Sequence, residues 1–446
     1  MAKKQQTIEE KLQAALVPVE EQPYKVPENW CWVRLGRLAN VKGGKRVPKG
    51  NSLVDEKTNH PYIRVTDFQD MGIDVSAIKY IDDVVFEKIK NYTIARTDIY
   101  ISIAGSIGKV GIIPEFLDGA NLTENAAKIT NINGVTQKML LWYLTCNNAQ
   151  NQMIGATIST TQPKLALFRI ENISVPLPPC NEQYRIVARI ESLFAKLDEA
   201  KEKIQEVLDG ADLRRAAILH QAFTGKLTEK WRRENGVSDG SWDKVPLGNV
   251  IELLSGQDFK PTDYNDAKKG IPYITGASNF DDGVIINRWT EKPTVIAKRD
   301  DILLVCKGSG YGKTIIADFE QAHIARQIMA LRVKEGIINK YVLYFLMDKY
   351  DEIRNSGQGL IPGISRKVVL GMNIFKISMP EQQEIVRLLD NLLSREQSTV
   401  TACEEALTTI DTLKKSILAR AFRGELGTND HSEASAKELL QEILAS

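Results

Sequence analysis

A set of short motifs occurs twice along this chain in the same order, and that duplication constrains its fold more than any other feature. Trp32-Val-Arg-Leu35-Gly36 is echoed by Trp242-Asp-Lys-Val-Pro-Leu247-Gly248, Pro61-Tyr62-Ile63 by Pro272-Tyr273-Ile274, and Ser106-Ile-Gly108-Lys109 by Gly310-Tyr-Gly312-Lys313. Two closer matches follow at one common offset. Glu182-Gln183 with Ile186-Val187 corresponds to Glu381-Gln382 with Ile385-Val386, and Ala222-Phe223-x-Gly225-x-Leu227 to Ala421-Phe422-x-Gly424-x-Leu426. Five matches in a fixed order mean duplication, so the 446 residues fold as one unit made twice.

Each unit has two parts with different periodicity. Residues 24–178 and 240–379 alternate short β-rich runs, such as Asp98 to Ile103 and Asp301 to Val305, with Gly, Asn and Asp turns, which predicts α+β globular domains. Residues 181–223 and 381–422 contain no Pro and, apart from Gly210, no Gly, as a long helix requires. Ile186, Ile190, Leu193, Leu197, Ile204 and Val207 fall mostly three and four apart. Leu389, Leu393, Val400, Cys403, Leu407 and Ile410 hold a heptad register that Glu396 and Lys414 interrupt with charge. A seam repeating every 3.5 residues asks for a partner helix. The two stripes can serve each other, giving a rod of roughly 60 Å at 1.5 Å per residue, or each helix can pack on its own domain. Short amphipathic helices are expected at Glu9 to Leu16 and Ser435 to Leu444, the second opening on a possible capping box, Ser435 to Glu438.

Several chemistries lack their residues. Cys31, Cys146, Cys180, Cys306 and Cys403 form no CxxC pair and the four histidines are scattered, which argues against structural zinc or a disulfide framework. Gly308 to Thr314 resembles a phosphate-binding loop but has Lys307 where the first glycine is needed; a turn between strands is the simpler reading. No adenine methyltransferase loop is found. Leu177-Pro178-Pro179-Cys180 has the prolines alone, and Asp198-Glu199-Ala-Lys201, the one nuclease-like grouping, lies mid-helix on a charged face. No apolar run spans a bilayer and the charged first residues are no secretory signal, so a cytoplasmic location is expected. The net charge of +1 does not announce a nucleic-acid binder, although the phosphate footprint depends on where cations lie.

The opening Pro27-Glu28-Asn29-Trp30-x-Trp32, the two Glu-Gln-x-x-Ile-Val helix starts and the two Ala-Phe-x-Gly-x-Leu helix ends together resemble the specificity subunit of type I restriction-modification systems, over nearly the whole chain. The resemblance implies an α+β fold of two β-rich target-recognition domains joined by two long helices in an antiparallel coiled coil, with pseudo-two-fold symmetry. It divides the chain into an N-terminal helical segment (1–23), a first recognition domain (24–179), a central helical spacer (180–230), a linker with the second domain (231–379), a C-terminal spacer (380–426) and a tail with a short helix (427–446). It implies a bacterial or archaeal, non-catalytic protein that reads a bipartite, asymmetric target on double-stranded DNA. Two modification (methyltransferase) subunits would dock on it, with restriction and motor subunits. No cofactor is expected in this chain, S-adenosylmethionine, ATP and Mg belonging to the partners. Base reading needs donors and acceptors on loops with cations nearby for phosphates. The candidates are Lys42, Lys45, Arg46, Lys49, Arg64, Lys109 and Gln162 in the first domain, and Lys260, Ser278, Asn279, Lys307, Lys313, Gln327 and Arg366 in the second. The competing reading is a scaffold protein with no DNA role.

Overall fold

A computed structural model describes residues 7–155, 163–281, 283–308, 310–355 and 363–445. The chain divides into two compact units, residues 1–203 with 406–446, and residues 204–405. The first unit is built from two separate stretches and the second from one, and each combines one globular domain with part of both long helices.

The core of each globular domain is a four-stranded antiparallel sheet with one strand order. In the first it runs Asn40–Gly43, Ala126–Thr130, Ile99–Ser102, Val110–Gly111; in the second, Ile251–Ser255, Ile328–Val333, Ile302–Val305, Thr314–Ile316. The central strands Ile99–Ser102 and Ile302–Val305 are buried at every position, which is why both read as short unbroken apolar runs rather than alternating ones. A second sheet pairs His60–Ile63 in parallel with Asn121–Leu122, and Ile271–Ile274 in parallel with Gln321–Ile324. The first strand of each domain pairs antiparallel with its last, Cys31–Arg34 with Ser174–Leu177 and Asp243–Pro246 with Asn373–Lys376. Each domain is thus closed on itself just before its long helix begins.

The first long helix runs Cys180–Asp209, breaks at Gly210 and continues as Ala211–Phe223, while the second, Met379–Ala421, is uninterrupted. Within the first unit residues 182, 185 and 198 meet residues 429, 433 and 414. Within the second, residues 381 and 396 meet 232 and 214. From 182 to 198 the partner falls from 429 to 414, and from 381 to 396 it falls from 232 to 214, so the helices are antiparallel in both. The charges that interrupt the heptad are answered across the seam: Glu396 by Arg214, at 2.7 Å, and Lys414 by Asp198. Seam positions near the globular domains, Ile186, Ile190 and Leu389, are fully buried. Leu193, Leu197, Ile204, Leu393, Val400, Cys403 and Leu407 are half-buried, and Ile410 is buried, as expected where only one helix covers another. Val207 departs from the expected seam and is exposed, three residues before the break at Gly210, where Arg214 takes its carbonyl at 2.7 Å.

Antiparallel packing explains the helix-end motifs. Ala222 and Phe223 are buried in the second unit, with Phe223 against Tyr341 and Phe345, whereas Ala421 and Phe422 are buried in the first, with Phe422 edge-on to Tyr143. Each motif therefore completes the core of the domain on the other side of the repeat. Gly225 and Gly424 follow with φ of +77° and +75°, the left-handed turn that ends a helix and that glycine adopts without strain.

The Glu-Gln pairs are buried completely and do the same work twice. Gln183 accepts from the Thr136 amide (2.8 Å) and donates to the Gly134 carbonyl; Gln382 accepts from the Ile338 amide (2.9 Å) and donates to the Gly336 carbonyl. Each glutamine so anchors the start of a helix in its globular domain. Glu182 accepts from the indole of Trp30 (2.7 Å) and from Asn429 (2.8 Å), and Glu381 from the indole of Trp242 (3.1 Å), Thr228 and Arg232 (2.9 Å each). The true counterpart of Trp242 is therefore Trp30, not the expected Trp32. The shared glutamate geometry decides it.

The terminal helices, Ile8–Ala15 and Ala436–Ala445, pack on each other in the first unit, where Leu12 and Leu440 are buried and Lys11 Nζ donates to the Leu444 carbonyl at 3.2 Å. The reciprocal capping box stands at Thr7 and Glu10. At the expected position, Ser435 Oγ takes the Lys437 amide instead, at 3.3 Å.

Candidate nucleic-acid interface

In both domains four chain segments converge on one end of the four-stranded sheet. The strand Asn40–Gly43 leaves it through Gly44, whose amide donates to the Ala126 carbonyl (2.9 Å), and Lys45 then donates to the Leu122 carbonyl (2.8 Å). In the second domain Gly256 and Gln257 donate to Ile328 and Ile324 at 3.0 and 2.9 Å. A Cβ at Gly44 would lie 2.1 Å from the Thr123 carbonyl oxygen, and at Gly256 2.1 Å from that of Ala325. The obstructing atoms are backbone. Gly256→Ala is accordingly expected to cost about 1–3 kcal/mol as overpacking, read as a lower urea midpoint; an unchanged midpoint would show that the approach is looser than described.

The glycine-rich loops are hairpin turns beside these crossings. Gly105 and Gly108 have φ of +74° and +90°, and Gly308 and Gly312 both +91°. Gly108 and Gly312 donate back to the Ser102 and Val305 carbonyls, at 3.0 and 2.9 Å. Each loop joins two antiparallel strands instead of leading from a strand into a helix, so it is not a phosphate-binding loop in the nucleotide-hydrolysing sense. The Asn125 and Gln327 carbonyls accept from Ile103 and Cys306, both at 2.8 Å, and Leu165 and Ile364 donate to the carbonyls of those same two residues. Crossing, hairpin, turn and returning strand are thus locked together by main-chain bonds that do not depend on side-chain identity.

This sheet end gathers Lys45, Arg46 and Lys109 in the first domain and Lys307, Lys313 and Gln327 in the second, all exposed. Lys45 lies over the Tyr92 ring and Lys109 Nζ reaches the Phe68 carbonyl. Ser278 joins them, because the neighbouring Ala277 packs against Gly310. Lys42 is exposed on the strand itself, Lys49 and Lys260 lie further along the loops after the crossings, and Arg366 opens the short helix Arg366–Gly371. Gln162 lies outside the described residues.

Two candidates are built into the fold instead. Arg64 is clamped by Asp67, at 3.1 Å through Nε and 2.6 Å through Nη2, and by the Ala77 carbonyl. Asn279 is fully buried, accepting from the amides of Thr275 and Gly276 and donating to the Ile285 carbonyl. Asp67 and Asn279 each fasten one tight turn in the same place, before Phe68 and Phe280. A carboxylate or amide in that common context was the available signal.

Sequence reasoning missed the ion pairs at the sheet end. Arg46 bonds to Glu124, and Asp258 to Arg326 at 3.1 Å. Burial alone would raise the Glu124 carboxyl, but its hydrogen bond from Arg46 holds it below the ordinary carboxylate value. Nothing in either local sequence marks them, since the partners stand some seventy residues apart.

Comparison with known proteins follows the same division. A family model described as the type I restriction modification DNA specificity domain matches residues 27–209 and 240–405. The EcoKI specificity subunit of Escherichia coli K12 is 24% identical, with 94% of this chain and 96% of that protein aligned. The MjaVIII specificity subunit of Methanocaldococcus jannaschii is 25% identical, covering 90% and 94%. In fold, the chain is similar to the HsdS subunit from Thermoanaerobacter tengcongensis (TM-score 0.67, 23% identity, 92% of this chain and 100% of that one). It is also similar to a chain from a structure concerned with assembly and conformational transition of the type I system (TM-score 0.72, 22% identity, 91% and 100%). Among the described residues no helix is long and apolar enough to cross a membrane.

Proposed function

The chain belongs to the type I restriction-modification DNA specificity family, and from that premise we propose that the sheet end of each unit reads one half of a bipartite, asymmetric DNA target. It is a non-catalytic specificity subunit with DNA-recognition domains; the catalytic activity of such systems lies in partner subunits. The observation that carries the proposal is one main-chain scaffold built twice and furnished with different side chains: Lys45, Arg46 and Lys109 on one, Lys307, Lys313 and Gln327 on the other. Constant backbone with variable donors is what two related readers of different sequences require. The antiparallel helices supply the spacer and the docking surface for two methyltransferase subunits and, through them, the motor. S-adenosylmethionine, ATP and Mg belong to those partners, and a cytoplasmic location in a bacterium or archaeon follows from the substrate.

The test is binding of the full chain to labelled duplex DNA across a salt series. Neutralising about six phosphates predicts a loss of affinity on the order of 10³ between 50 and 200 mM salt. Binding absent at every salt concentration would favour a scaffold without a DNA role. Incubated alone with DNA and S-adenosylmethionine, the chain should transfer no methyl group.

A further inference from the structure

The two ion pairs at the sheet ends occupy the same place with opposite polarity. Lys45 and Gln257 make equivalent amide bonds to Leu122 and Ile324, so Arg46 and Asp258, which follow them, are counterparts. The Asn125 and Gln327 carbonyls make equivalent bonds to Ile103 and Cys306, so Glu124 and Arg326, which precede them, are counterparts too. Where the first domain has Arg46 on the crossing and Glu124 on the turn, the second has Asp258 on the crossing and Arg326 on the turn.

The geometry of attachment sets these arginines apart. Among the described residues, Arg46 and Arg326 are the two whose closest nitrogen to a carboxylate is Nε; every other ion-paired arginine engages through a terminal Nη. Arg46 and Arg326 side chains are 76% and 69% exposed. Arg46 Nε donates to Glu124, and Asp258 lies 3.1 Å from Arg326 Nε while accepting from the Arg326 amide, so in both arginines the two Nη groups stay outside the carboxylate contact. They form the edge which bonds to O6 and N7 of guanine in the major groove. Arg64, whose Nη2 is shared between Asp67 and the Ala77 carbonyl, has that edge occupied.

We propose that Arg46 and Arg326 are the guanine-reading residues of the two domains, with Glu124 and Asp258 as positioning residues, and that inversion of the pair contributes to the asymmetry of the target. Arg46 projects from the crossing and Arg326 from the turn, so the two forks stand at different points over otherwise matching scaffolds and address different base positions within their half-sites. This rests on the DNA-reading function proposed above.

The experiment selects bound sequences from a pool of random duplexes with the full-length chain, comparing wild type with Arg46→Lys and Arg326→Lys. Lysine keeps the charge but has no planar fork. Each variant is expected to lose, on the order of 10- to 100-fold, the preference for guanine at one position of one half-site, with the other half-site unchanged and the melting temperature preserved. Glu124→Gln should weaken the same preference as Arg46→Lys. If both lysine variants keep the wild-type sequence preference, the arginines are phosphate contacts and the assignment is overturned. Arg46→Gln and Arg326→Gln should abolish the same guanine preferences; binding weakened equally for all sequences, with a salt slope reduced by about one, would overturn it as well. A wild-type chain that selects no sequence would instead sink the DNA-reading function itself.

Discussion

Replacing Glu381 with alanine is expected to lower the unfolding free energy by about 3–5 kcal/mol, and replacing Glu182 by only about 1–3 kcal/mol, although the two residues head equivalent helices. Both carboxylates are fully buried, and the difference lies in what each leaves behind. Thr228, Arg232 and Trp242 all converge on Glu381 Oε1, and the Arg232 side chain is only 8% exposed. Removing the carboxylate breaks a largely buried ion pair at 2.9 Å, which costs more than losing neutral hydrogen bonds. Around Glu182 the donors are the Trp30 indole, Asn429 and Thr428, all neutral, so its loss costs hydrogen bonds but breaks no buried ion pair. Urea unfolding of each variant beside the wild type tests this, the stability change being read from the shift in midpoint. Equal losses at both would show that the cation is irrelevant. Glu381→Ala combined with Arg232→Met should recover part of the loss, since a buried ion pair replaced as a whole by apolar groups is often close to neutral.

Inserting one heptad after Lys203 and one after Glu404 is expected to widen the gap between half-sites by about 3 base pairs, at 1.5 Å per helical residue and 3.4 Å per base pair, while leaving the sequence read in each half-site unchanged. Both positions fall where the chain passes between its compact units, away from the buried Glu-Gln anchors and the Ala-Phe ends. A heptad preserves the seam register, so the coil continues through the insert. Affinity for DNA of the original spacing should drop at least about 100-fold, because the second half-site no longer profits from the engagement of the first, and return on DNA lengthened to match. Selection of bound sequences measures both. An altered base preference within a half-site would contradict the assignment of spacing to the helices and sequence to the domains.

Much of the helical part was legible beforehand. Apolar periodicity and the Ala-Phe-x-Gly-x-Leu ends are local signals, each written within a few turns of chain, whereas the break at Gly210 in a stretch expected to be one helix came from the structure. Opposite charges at Asp198 and Lys414, or Arg214 and Glu396, were visible as residues but not as pairs, because antiparallel pairing brings together positions roughly two hundred residues apart. Arg64 and Asn279 failed as candidates for a related reason. An Arg or Asn in a β-rich loop has the chemistry to read a base, and only its neighbours tell whether that chemistry is already spent.

What the sequence by itself determined is the repeat and the β-rich and helical parts of each copy, because these depend on periodicity, which is written locally along the chain. What only the tertiary structure decided is which partner each polar residue has. Glu182 and Glu381 are buried anchors, Trp30 rather than Trp32 answers Trp242, and Arg46 and Arg326 stand on opposite sides of one inverted pair. Hydrogen bonds and ion pairs act over a few ångströms of space, and the residues that share that space lie seventy to two hundred and fifty positions apart along the chain.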